Sequence, residues 1–186
     1  MGLDMYLRAE KYVSGYEFYG EEKTEQYRNL VAAFGAEDVV DPSTPSATVS
    51  FTVAYWRKAN AIHKWFVDNV QEGVDDCREY WVGREQLTEL RDACQEVLDS
   101  LELEDGKVRA GMTYHPGGKI EQHWEDGRVA TDTAVAQELL PAAEGFFFGG
   151  TDYDEWYVQN LEETVRQINR LLKLDAEWDF QYQSSW

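Results

Sequence analysis

Two cysteines, four prolines and no long apolar run set the first limits on this chain of 186 residues. With Cys77 and Cys94 alone there is no disulfide framework, which points to a reducing compartment and to two free thiols. No stretch approaches the ~20 apolar residues a spanning helix needs, so no membrane partner is expected. The opening residues Met1 to Arg8 include Asp4 and lack an apolar h-region, and Tyr6 stands where a myristoylation signal carries Ser or Thr. A cytoplasmic protein is the expectation.

Basic residues are scarce as well. Lys and Arg number 17 against 36 Asp and Glu, a net charge of -19. Proteins that wrap nucleic acid draw most of their affinity from cations meeting phosphates, so direct nucleic-acid binding is excluded, as is an anionic membrane surface. Catalytic and metal signatures are missing too: there is no CxxC, HExxH, GxSxG or P-loop. His63, His115 and His123, with the two cysteines, do not reach metal-ligand spacing. No metal, no cofactor and no catalytic residue is therefore expected.

What the chain does have is a core. Hydrophobic residues make up 43% and aromatics 14%, enough for one domain at this length despite the charge. Leu3, Met5, Leu7 and Ala9 alternate with polar neighbours and predict a strand over 3–13. Tyr27, Leu30, Val31 and Phe34 repeat at helical spacing before Gly35. A proline-bounded loop at 41–45 leads to an alternating strand over 47–55 and a helix over 56–71. An extended piece at 77–82 follows, then a helix over 84–101 with Leu87, Leu90, Cys94 and Val97 on its apolar side.

Residues 105–130 read as an appended β-meander turning at Pro116-Gly117-Gly118, with His123 opposite Gly111. A short helix over 132–140 ends at Pro141. Phe146-Phe147-Phe148-Gly149-Gly150 then approaches a long helix, capped by Thr151 with Asp154, that runs to about residue 174. Asp152, Asp154 and Glu155 fill its first turn and argue against a phosphate there. A strand over 177–186 ends the chain, with Trp178, Phe180 and Tyr182 on one face. These elements predict a single-domain α+β fold over 1–186: a two-layer sandwich of mixed or antiparallel sheet with helices packed on it, plus a β-hairpin excursion. The terminal strands are expected to pair in the middle of the sheet.

One stretch departs from the acidic average. Between Asp41 and Asp68, 26 residues carry no acid where composition predicts about five. They carry Arg57, Lys58, His63 and Lys64 instead. On a helix from residue 56, His63 falls on the apolar arc, while Arg57, Asn60 and Lys64 share the opposite side. One reading is a solvated face with Lys64 paired to Asp68. The other is a ligand site: Arg57 and Lys64 for phosphates, Asn60 for a polar edge, Trp56 or Tyr182 for stacking, and His63 as a further contact or a base.

Met-Gly-Leu-Asp-Met-Tyr-Leu at the start, Tyr-Trp-Arg-Lys-Ala-Asn-Ala-Ile-His-Lys-Trp-Phe-Val in the middle, Gly-Phe-Phe-Phe-Gly before the long helix and Tyr-Gln-Ser-Ser-Trp at the end resemble a group of small accessory proteins of tailed phages and prophages. The resemblance implies a setting, host takeover or anti-defence in the bacterial cytoplasm, and no catalytic residues. The leading expectation is a non-enzymatic protein that sequesters a small nucleotide-like signal. Two others stand beside it: an acidic DNA mimic that inhibits a host nuclease or DNA-binding defence complex, and a nucleotide-processing enzyme. A homo-oligomer is compatible with each.

Overall fold

The computed structural model describes residues 2–145 and 148–186. Strand β1 (Asp4–Ser14) lies at the centre of a four-stranded antiparallel sheet, flanked by β2 (Ser46–Arg57) and by the last strand, β6 (Trp178–Ser185). The short β3 (Tyr80–Val82) pairs with β6 at the far edge. Alternation at each terminus predicts a strand there, and the two pair with each other in mid-sheet. Leu7 sits across from Tyr182 and Ala9 across from Phe180, so the apolar phases of the two strands point the same way.

That apolar face carries the helices. Helix α2 (Asn60–Asn69) contributes Ile62 and Phe66, α3 (Arg84–Ser100) contributes Leu87, Leu90, Cys94 and Val97, and α5 (Glu155–Leu171) contributes Leu161, Ile168 and Leu171, all buried. The spacing within α3, three then four then three residues, keeps its stripe on one side. Each fully buried Leu or Ile contributes roughly 1.5–3 kcal/mol relative to exposure. Cys94 behaves as part of this core, and burial pushes its thiol far above the usual range. The opposite sheet face mixes polar pairs with aromatic rings: Arg8 donates to Gln183 at 3.0 Å and Gln181 to Glu10 at 3.0 Å, and the Tyr6 and Tyr55 rings pack 5.4 Å apart.

Helix α1 (Glu21–Ala33) covers the far end of β1 and β2 through a small cluster of Val13, Tyr27 and Val31. It ends where Gly35 takes φ 61°, a left-handed turn that favours glycine. Helix α4 (Ala134–Leu139) buries Ala136. The expected meander is a single long hairpin of its own, β4 (Leu103–Tyr114) and β5 (Ile120–Ala130), with His123 opposite Gly111 as its turn chemistry predicts.

Two local expectations are corrected. The helix predicted from residue 56 begins at Asn60, because Trp56 and Arg57 continue β2 opposite Met5 and Asp4. Lys58, at φ 58°, breaks the strand from the helix. The cap of α5 is Asp154 rather than Thr151: its carboxylate accepts from the Tyr157 backbone N–H at 3.0 Å. Phe146 and Phe147 lie outside the described residues.

Candidate functional site

The continuation of the strand through Arg57 disperses the residues that sequence spacing grouped. Arg57, on the strand, reaches Asp4 at 3.8 Å and stays exposed. Lys64, in the second turn of α2, pairs with Asp68 at 2.8 Å, which is the solvated-face reading. Asn60 is buried and its amide is fully used. It donates to the carbonyls of Phe148 at 3.3 Å and Gly150 at 2.7 Å, and accepts from the Ala143 N–H at 3.0 Å. No shared cationic face exists.

The two expected stacking rings are interior. Trp56 is buried and its indole N–H donates to Thr164 Oγ1 at 2.8 Å. Tyr182 lies flat against Phe66, ring centres 3.9 Å apart, and burial pushes its hydroxyl well above the usual phenol range. His63, also buried, sits between the Tyr182 hydroxyl at 2.8 Å and Asp75 at 3.0 Å. These rings lock the sheet to α2.

A concavity does open beside the acid-free stretch, at the other end of α2. A cavity of about 300 Å³ lies between the first turn of α2, the hairpin and the first turn of α5. The backbone N–H groups of Asn60, Ala61 and Ile62 begin α2 with no capping side chain and no acid in the first turn. The first turns of α1, α3 and α5, by contrast, each carry a carboxylate. Lys58 stands at the mouth, exposed and paired with no carboxylate among the described residues. Arg109 enters from β4, four-fifths buried, 3.5 Å from Asp152. Trp156, 57% exposed, lines another wall.

Four carboxylates also line the cavity: Glu125, Asp152, Asp154 and Glu155. Asp154 is committed to capping α5 and Asp152 to Arg109, which leaves Glu125 and Glu155 to face the opening. The cavity is therefore polar at both signs. Its anion-accepting end is the α2 terminus with Lys58, and its proton-accepting side is the α5 turn.

The Gly149-Gly150 pair serves α2 rather than α5. Gly149 adopts φ 99°, and a Cβ there would come within 3.0 Å of the Lys58 carbonyl, so only glycine lets the loop lie this close to the start of α2. Sequence spacing singled out neither Arg109 nor Trp156. The available signal was the glycine pair, whose proper partner helix lies 90 residues upstream. Among the described residues no cluster of His, Cys, Asp or Glu is arranged to hold a metal ion, and no helix is long and apolar enough to cross a membrane. Neither protein-family models, nor curated proteins, nor solved structures match the chain.

Proposed function

We propose that this chain is a phage-type accessory protein that binds a small nucleotide-like molecule without turning it over, and that the ligand occupies the cavity at the start of α2. The observation that carries the reading is the uncapped, acid-free first turn of α2 opening on a cavity beside the unpaired Lys58. A phosphate there meets three backbone N–H donors and an ammonium. Trp156 offers a stacking face, and Glu155 and Glu125 accept from an exocyclic amino group. Because carboxylates outnumber cations in the cavity, a bare phosphate is a poor ligand and an amino-bearing base is required. The volume of about 300 Å³ suits a ligand of mononucleotide size. The resemblance of four stretches to phage accessory proteins motivates the setting.

Calorimetric titration with a panel of mononucleotides, cyclic nucleotides and ADP-ribose-type compounds tests this. The expected result is binding of an amino-bearing nucleotide, weakened at least tenfold by Lys58→Ala with Arg109→Ala, with inorganic phosphate silent. No binding across the panel sinks the proposal.

A second reading, an acidic inhibitor of a DNA-binding protein, is favoured by one observation. Glu85, Glu89, Asp92, Glu96 and Asp99 are all exposed and follow one another at four- and three-residue steps along one side of α3. Successive carboxylates thus climb about 5 Å along the axis. Salt-sensitive capture of a nuclease or DNA-binding complex from bacterial lysate, lost in Glu89→Lys with Glu96→Lys, supports it; empty captures at low salt remove it.

A further inference from the structure

The acid-free stretch has a second peculiarity. From Pro42 to Trp56 the 15 residues carry no charge of either sign, where the 28% charged content predicts about four. Most of this run is β2, which forms an outer edge of the main sheet, with no strand on its outer side among the described residues. Open edges are templates for pairing, and soluble proteins blunt them with short strands or charges. The opposite edge, β3, is three residues long, and the hairpin strands carry Lys107, Arg109, Glu121, Glu125 and Arg128. β2 runs for 12 residues with its first charge at Arg57.

We infer that β2 is a self-association surface, on which a second copy of this chain pairs its own β2 antiparallel across a two-fold axis to make one continuous eight-stranded sheet. Charge selects the occupant. A partner drawn by the field of a -19 molecule lands on acids, and needs no neutral strip. A second copy carries the same net charge and approaches with least repulsion where neither surface carries charge. The pairing is self-complementary, since the uncharged residues of one β2 meet the uncharged residues of the other, each residue i facing j as j faces i. Phe51 sits at the middle of β2, 55% exposed with its ring 5.9 Å from Trp178. A two-fold near that point sets Phe51 beside its copy and covers both rings.

The test is mass by light scattering across a dilution series, at physiological salt. Wild type is expected at twice the 21.5 kDa chain mass. Ser50→Lys with Thr52→Lys, both at exposed positions, is expected at the single-chain mass with an unchanged circular dichroism spectrum. These lysines reduce the net negative charge, so general repulsion cannot explain dissociation. In a Cys77→Ser background, Phe51→Cys is expected to cross-link two chains on oxidation. Wild type at the single-chain mass at the highest attainable concentration overturns the inference. So does a dimer that survives both lysines or fails to cross-link.

Discussion

The Tyr182 hydroxyl lies 2.8 Å from Nδ1 of His63, in the middle of the core and 119 residues away along the chain. The other ring nitrogen faces Asp75 at 3.0 Å, and a carboxylate only accepts. Nε2 therefore carries a hydrogen, and in the neutral imidazole Nδ1 accepts from the tyrosine. Asp75 accepts in turn from the Trp186 indole at 3.0 Å. The last strand, α2 and the loop after it are joined at one buried histidine, which gives His63 a structural task.

Tyr182→Phe keeps the stack on Phe66 and removes the donor to Nδ1. A buried acceptor left without a partner costs about 1–3 kcal/mol. The melting temperature should fall by about 2–4 °C per kcal/mol for a domain of this size. Calorimetric melting checks it, and an unchanged midpoint would mean that the bond contributes nothing.

Lys58 holds a left-handed backbone that costs a residue with a Cβ about 1–2 kcal/mol. Strain of this kind is retained where a side chain has a use. Lys58→Gly should therefore raise stability in urea by about 0.5–1 kcal/mol while weakening nucleotide binding. A variant that gains stability and binds as well as wild type would separate Lys58 from the ligand.

How far the sequence carried the fold is clear at particular residues. Alternation placed β1 and β6 correctly because each strand shows one face to the core, and Phe180 and Tyr182 are buried where that pattern puts them. The site was less legible. Trp56 and Arg57 fit a helical period with Asn60 and Lys64 as well as they fit a strand, and only pairing with Met5 and Asp4 decides between the two. Arg109 and Trp156 converge with Lys58 through tertiary packing of three elements, which no local spacing encodes.

Glu177 accepts from Lys11 and Lys23, each at 2.8 Å. Its hydrogen bond to Lys11, then that to Lys23, lowers its pKa from the ordinary 4.5 to about 2. Between those values the unfolded chain binds a proton that the folded chain does not, so stability rises with pH there. This contribution is complete above about pH 4.5 and lost as pH falls through about 2. Urea unfolding of Glu177→Gln should show a shallower loss of stability in that window than wild type.

Gln71 is fully buried, and neither atom of its amide meets a partner among the described residues. An unpaired buried amide costs about 1–3 kcal/mol, so Gln71→Met, of similar length, should stabilise the protein by an amount of that order. Chemical denaturation measures it. A destabilised variant would show that the amide has a partner, such as a buried water.

The most direct measurement of the cavity's role is the backbone amide spectrum of Asn60, Ala61 and Ile62 during addition of an amino-bearing mononucleotide. A phosphate accepting from those three N–H groups should move their proton resonances downfield together, with saturation, while the Glu21 and Glu22 amides at the start of α1 stay in place. Shifts absent at the start of α2, or spread evenly over the surface, would contradict a ligand seated there.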